Sequence, residues 1–136
     1  MNVLIGYDGT ESADQALRYA LRTFATNDAL QVHVLFVESI PYVNGEFGVL
    51  PVPYDTEKNR ELLAKADQIC QEYHVKPTLQ SEIGVPADVI LDTANKLHAE
   101  LIVLGAHNKG ALERLLLGSV SEAVTRRAHC SVLVVR

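Results

Sequence analysis

The sequence is poor in the residues that mark redox, metal and membrane proteins. Its 136 residues include no tryptophan, one methionine and two cysteines, and the cysteines, Cys70 and Cys130, form no Cys-x-x-Cys motif. This usage is typical of reduced thiols in a cytoplasmic protein. No apolar run approaches the roughly 20 residues of a membrane span. The start, Met1 to Gly6, also lacks the basic region and cleavage site of a signal peptide. These absences predict a soluble cytoplasmic protein.

Positive charge is also in short supply. The chain has twelve basic and seventeen acidic residues, which gives a formal net charge of -5 at pH 7. A broad electrostatic contact with nucleic acid or with an anionic membrane requires a basic surface, so neither is expected as a partner. Hydrophobic residues make up 48% of the chain, enough for one core at this length. The sequence therefore predicts a single domain over residues 1–136.

Short apolar runs alternate with segments of helical period along the whole chain. The predicted strands are Asn2–Tyr7, Gln31–Val37, Pro77–Ile83, Leu101–Leu104 and Val132–Val135. The predicted helices begin at Ser12, at Thr56, at Ala87 and at about Ser119, the first with Thr10 or Ser12 as its N-cap. Strands separated by helices imply right-handed crossovers. We therefore predict a doubly wound, Rossmann-like α/β fold, with a five-stranded, mainly parallel sheet and helices on both faces.

Ligands of such sheets bind outside the carboxyl ends of the strands, where the strand order reverses. The loops after the first four strands are therefore the candidate site. The segment from Glu38 to Asp55 holds three prolines and two glycines without a steady period. Segments of this length inside compact domains are usually functional lids or mobile insertions.

The loop after the fourth strand carries the pattern of a phosphate site. Gly105 would let the main chain approach a ligand closely. Gly118-Ser119-Val120-Ser121 then opens a helix and presents N–H groups and hydroxyls at its positive end, where a phosphate binds well. The alternative is structural, because turn glycines and capping serines are common. Taken one at a time, Gly105 and Ser119 fit that alternative at least as well.

Asp8 follows the first strand, where its carboxylate could hold a sugar hydroxyl or a phosphate-bound metal. The familiar phosphate motifs are absent: neither Gly-x4-Gly-Lys-Ser/Thr nor Gly-x-Gly-x-x-Gly occurs. The five histidines show no metal-ligand spacing. No nucleophile elbow or Ser-His-Asp arrangement occurs either. The sequence therefore contains no group of residues that requires a catalytic function.

Taken together, these segments resemble the universal stress protein family. The resemblance rests on the opening Gly-Tyr-Asp-Gly-Thr-Glu-Ser, on Gly84-Val-Pro86 before a helix, on Leu-Leu-Leu-Gly-Ser-Val-Ser-Glu, and on the ending Cys130-Ser-Val-Leu-Val-Val135. It extends from Val3 to Val135. It implies a sheet of order 3-2-1-4-5 and a homodimer formed by antiparallel pairing of the last strands, Val132–Val135.

One branch of that family binds ATP through Gly-x2-Gly-x9-Gly-Ser/Thr. Here the pattern reads Gly105-x2-Asn108-x9-Gly118-Ser119, with asparagine in place of the second glycine. Asparagine tolerates a left-handed backbone better than most residues, so the path of the loop can survive. The resemblance implies that Tyr7 and Asp8 face ribose and adenine, that Val37 meets the adenine edge, and that Ser119, Val120 and Ser121 hold the phosphates. The other nucleotide-binding residues that it implies are Leu104, Gly105, His107, Asn108 and Gly118.

The leading functional hypothesis is therefore a cytoplasmic, homodimeric universal stress protein that binds ATP, with Mg²⁺ on the phosphates and Asp8 as a candidate ligand, and that regulates a stress response. The alternative is a dimeric interaction module of the same fold whose pocket Asn108 has closed to nucleotides. A slow ATP hydrolase is the third hypothesis. The protein partner is not encoded in any motif.

Overall fold

A computed structural model describes residues 1–39, 56–106 and 117–136. The strands are β1 (Asn2–Gly6), β2 (Gln31–Ser39), β3 (Thr78–Gly84), β4 (Leu101–Gly105) and β5 (Ser131–Val135). The helices are α1 (Glu11–Phe24), α2 (Thr56–Glu72), α3 (Pro86–Leu97) and α4 (Ser119–Arg127). The strands form one sheet in the order β3-β2-β1-β4-β5, and every neighbouring pair is parallel. The predicted fold class and strand order are confirmed.

The central strand β1 explains why the sequence begins with an unbroken apolar run. Val3 and Ile5 pack into a cluster on one face of the sheet, and Leu4 packs into a second cluster on the other. All three side chains are at most 1% exposed. A strand covered on both faces needs apolar residues at every position rather than at alternate ones.

The two apolar clusters define the layers of the domain. The cluster on one face joins β1, β2 and β4 to the inner sides of α1 and α2, including Leu17, Leu21 and Ile69. The cluster on the other face joins the same strands to α3 and α4, including Ile90 and Val124. None of the helices in the described ranges is both long and apolar enough to cross a membrane.

The structure lengthens the second predicted strand and decides between the two predicted N-caps of α1. The second strand extends to Ser39, because Glu38 and Ser39 continue the pairing with β3 up to Gly84. Thr10 rather than Ser12 caps α1, with its hydroxyl oxygen accepting a hydrogen bond from the Ala13 amide. Ser12 lies one residue inside the helix and donates its hydroxyl to a distant carbonyl instead. Ser12 as the N-cap is therefore wrong, and the alternative prediction, Thr10, is confirmed.

The two cysteines are unpaired and lie on opposite faces of the sheet. Cys70 is fully buried in the α1–α2 cluster, whereas the half-buried Cys130 packs against the other cluster. Burial raises the pKa of the Cys70 thiol to about 12, so it stays protonated near neutral pH.

Candidate functional site

A cavity of about 570 Å³ opens at the carboxyl ends of β1, β2 and β4. The first turns of α1, α3 and α4 complete its described walls. Its size falls within the range of small-molecule sites, roughly 300–1,000 Å³. The described residues that line it are Gly6, Tyr7, Asp8, Thr10, Ser12, Ala13, Leu35, Val37, Ser39, Pro86, Ile90, Leu104, Gly105, Leu117, Gly118, Ser119, Val120 and Ser121.

Asp8 lies in the loop between β1 and α1 with its carboxylate held at the cavity. Its Oδ1 accepts hydrogen bonds from the Thr10 amide at 3.1 Å and from the Thr10 hydroxyl at 2.6 Å. Thr10 in turn caps α1 by accepting from Ala13. Within the described ranges these contacts engage only Oδ1. The residue is exposed, so Oδ2 can accept a hydroxyl or bind a cation.

The peptide next to Asp8 has a fixed, left-handed conformation. Gly9 has a φ of +78°, which residues with a Cβ rarely adopt. A Cβ on Gly9 would also lie 2.0 Å from Cδ2 of Leu62 on α2. The loop therefore needs glycine for two reasons, its dihedral angle and the close packing of α2 against it.

Tyr7 lines the cavity, although only 3% of the residue is exposed. Its ring belongs to the apolar cluster on the α1–α2 face, and its hydroxyl donates to Oδ1 of Asp14 at 2.5 Å. Burial, with the Asp14 hydrogen bond and charge, raises the pKa of this phenol, so it acts as a neutral donor. A direct contact of Tyr7 with ribose or adenine stays a prediction.

Helix α4 presents open main-chain donors to the cavity. Its N-cap is Gly118, which makes no side-chain cap hydrogen bond, so Ser119 does not have the capping role considered as an alternative. The first bond of the helix runs from the Glu122 amide to the Gly118 carbonyl. The amides of Ser119, Val120 and Ser121 precede that bond and have no partner inside the helix. An anion can bind at these amides and at the positive end of the helix dipole.

Two serine hydroxyls fix the main chain at the end of β4. Ser12 of α1 donates to the Ala106 carbonyl at 2.7 Å, and the buried Ser121 of α4 donates to the Gly105 carbonyl at 3.2 Å. Gly105 itself lies against α1, since a Cβ there would be 2.7 Å from the Ser12 carbonyl oxygen. The structure therefore gives Gly105 a packing role that its sequence context did not reveal. Ser121 links the two elements that flank the cavity.

The wall formed by β2 and α3 is apolar. Val37, Leu35 and Ile90 belong to the cluster on the α3–α4 face, as does Leu104 at the end of β4. Leu104 is only 4% exposed, whereas Val37 is half-buried. Such a surface can pack against the flat face of an aromatic base through apolar contacts.

Charge in the cavity is concentrated at one residue. Among the described lining residues, Asp8 is the only one with a formal charge at pH 7. No group of three or more His, Cys, Asp or Glu side chains in the described ranges could hold a metal ion by itself. Mg²⁺ in nucleotide sites is commonly held by one or two carboxylates and the phosphates. A single carboxylate at the strand end fits that arrangement.

The structure brings most of the predicted site residues together. The exceptions are His107 and Asn108, which lie outside the described residues, as does most of the Glu38–Asp55 segment. Sequence reasoning missed nine of the described lining residues, among them Ser12, Ser39 and Pro86. Ser39 and Pro86 could have been predicted, because the loops after β2 and β3 were recognised as part of the candidate site. The contact of Ser12 with Ala106 had no local signal, since it spans 94 positions.

Residues 1–136 match the model of the universal stress protein family. The universal stress protein MJ0531 of Methanocaldococcus jannaschii is 35% identical over 138 residues, which cover 98% of this chain and 81% of that protein. The alignment therefore covers almost all of this chain and about four fifths of that protein.

Solved structures share the fold at lower sequence identity. The universal stress protein of Archaeoglobus fulgidus in complex with dAMP is similar with a TM-score of 0.74 and 24% identity, over 100% of this chain and 98% of that one. A universal stress protein family protein of Arabidopsis thaliana with AMP bound has a TM-score of 0.72 and 19% identity, over 99% and 90%. At these identities the likeness concerns the fold.

Proposed function

The chain belongs to the universal stress protein family, and we propose that its strand-end cavity binds an adenine nucleotide, which makes the protein a nucleotide-dependent regulator of a stress response. One observation carries the proposal. An apolar wall, an exposed carboxylate and an open helix N-terminus face one cavity of about 570 Å³. Those three surfaces match a base, a sugar and a phosphate in chemistry.

The order of the strands places the surfaces for base, sugar and phosphate side by side in that order. Along the sheet, β2 lies beside β1, and β4 lies on the other side of β1. Val37 at the end of β2 would contact the adenine, Asp8 after β1 would accept a ribose hydroxyl, and the α4 amides beside β4 would bind phosphate. The complexes of the A. fulgidus protein with dAMP and of the A. thaliana protein with AMP support this choice of ligand.

We extend the proposal to ATP with Mg²⁺. Gly105, Gly118 and Ser119 of the motif lie at one cavity, and three amides at the start of α4 are open to an anion. Mg²⁺ would be bound through the phosphates, because the proposed ribose contact already uses the Asp8 carboxylate. When bound it would neutralise phosphate charge that this acidic cavity leaves uncompensated.

Titration calorimetry with ATP and MgCl₂ tests the proposal. We expect a Kd of about 1 mM or tighter, equivalent to at least about -4.1 kcal/mol. Asp8→Asn should weaken binding, because a neutral amide oxygen is a poorer acceptor for a ribose hydroxyl than a carboxylate oxygen. GTP serves as the control for base recognition.

The absence of both heat and thermal stabilisation at several millimolar ATP would contradict the proposal. It would instead favour the interaction module, the alternative from the sequence. Equal affinity for ATP and GTP would retain nucleotide binding but refute adenine selection at the Val37 wall.

We also propose that a second copy of the chain pairs with β5 to form a homodimer. Within the described residues β5 is an edge strand, paired only with β4. The Ala106 amide donates to the Val135 carbonyl, so Val135 and, by alternation, Leu133 face β4. The main-chain groups of Val132 and Val134 consequently point outward, where another strand can pair with them.

Val134→Pro should convert the dimer to a monomer without unfolding the domain. Proline removes an outward N–H donor and leaves the bonds to β4 in place. Val134→Thr keeps that donor and serves as the matched control. Sedimentation equilibrium gives the mass of each variant. A wild-type monomer, or a proline variant that remains dimeric, would refute pairing through β5.

A further inference from the structure

A small polar network lies behind the β1–α1 loop, on the side of α2. Nζ of Lys65 is 2.8 Å from Oδ2 of Asp14 and donates to the Gly9 carbonyl at 3.2 Å. The other oxygen of Asp14 accepts from the Tyr7 hydroxyl. One ammonium group therefore joins α2 to the first turns of α1 and to the loop that carries Asp8.

The same helix covers the loop with an apolar side chain. Leu62, three residues before Lys65, packs so closely on Gly9 that only glycine fits there. Lys65 then holds the carbonyl of that glycine. Asp8 and Thr10 flank Gly9 on either side, so the orientation of this peptide determines where the Asp8 carboxylate points.

We propose that Lys65 is a positioning residue for the nucleotide. It lies outside the described residues that line the cavity and acts through Gly9 and Asp14, keeping Asp8 oriented toward the ribose. The inference rests on the proposed function, because it assigns the role of a residue behind the same site.

The effect should be local. The side chain of Lys65 is 48% exposed, and ion pairs at such exposure contribute little to global stability. The two helices are also joined by the Arg18–Glu72 pair and by the apolar cluster between them. Without Lys65, α1 and α2 should stay packed while the Asp8 loop loses one of its restraints.

The experiment compares Lys65→Met, Lys65→Arg and Arg18→Met by titration calorimetry. Arg18→Met is the matched control, since it removes a second ion pair between α1 and α2, the one with Glu72. The ligands are ATP and 2′,3′-dideoxy-ATP, which lacks the hydroxyls that Asp8 would accept. We expect Lys65→Met to weaken ATP binding about fivefold, the size of one lost exposed ion pair and hydrogen bond. Binding of the dideoxy analogue should not change, Lys65→Arg should restore ATP affinity, and Arg18→Met should leave it as in the wild type.

Unchanged ATP affinity in Lys65→Met, or equal weakening of both ligands, would overturn the inference. Amide hydrogen exchange of Thr10 supplies a readout that needs no nucleotide, because this N–H donates to Asp8. Exchange should be at least about threefold faster in Lys65→Met than in Arg18→Met if the loop is loosened locally. A wild-type protein that binds neither ligand refutes the proposed function alone. The exchange rates then decide whether Lys65 positions Asp8, and equal rates in the two variants refute it.

Discussion

Gly105→Ala is expected to lower the free energy of unfolding by about 3 kcal/mol, at the upper end of what overpacking usually costs. The added Cβ would lie 2.5 Å from the Ser12 hydroxyl oxygen and 2.7 and 2.8 Å from the Ser12 carbonyl oxygen and carbon. Two of these atoms are main chain in the first turn of α1, which cannot move aside as a side chain can. Relief requires that α1 and β4 separate, which would also widen the cavity. Urea denaturation of both proteins measures the difference.

Gly6→Ala is the matched control, because it adds the same methyl group at the end of the neighbouring strand. Its Cβ would lie 2.6 Å from Cδ2 of Leu104, the end of a side chain that can change its rotamer. We expect it to cost less than half as much as Gly105→Ala. Equal losses in the two variants would show that the strand ends tolerate no side chain at all. A stable Gly105→Ala would show that α1 does not approach β4 as closely as the structure has it.

The features that the sequence predicted well are those set by neighbours along the chain. The apolar run of β1 and the helical spacing of Ala13, Leu17 and Leu21 predict buried faces directly. The positions of Asp8 and Gly118 follow from the rule that parallel strands present their ends at one edge. The strand order was implied by the family resemblance, which the same segments carried.

The features that the sequence did not predict are contacts between distant segments. Ser12 was one of two predicted helix caps, but its hydroxyl donates to the carbonyl of Ala106, 94 positions away. Lys65 carried no local signal, since its partner Gly9 is 56 positions away in the chain. The end of β2 was missed because Glu38 and Ser39 look like loop residues, and only pairing with β3 makes them strand. Each depends on tertiary structure overriding a local preference.

Ser119→Asp is expected to abolish nucleotide binding while stabilising the folded protein. Ser119 is exposed at the first position of α4, so a carboxylate there interacts favourably with the helix dipole, by about 0.3–1 kcal/mol. The same carboxylate would occupy the proposed phosphate site. Two unit charges 4 Å apart repel by about 4 kcal/mol at an effective dielectric constant of about 20, and about 1.4 kcal/mol is tenfold in affinity. ATP affinity should therefore fall by more than about a hundredfold, as calorimetry can measure, while the melting temperature rises.

Ser119→Asn separates charge from shape, because the amide has nearly the same size as the carboxylate without its charge. ATP should still bind to this variant with a loss of at most about tenfold, the cost of one altered hydrogen bond. Adenosine should bind equally to both variants, because it has no phosphate for the new carboxylate to repel. If Ser119→Asp and Ser119→Asn bind ATP alike, the phosphates do not lie at the start of α4. The opposite signs expected for stability and binding follow from one property of the helix: its first amides have no partner within the helix, so a nearby anion can bind to them.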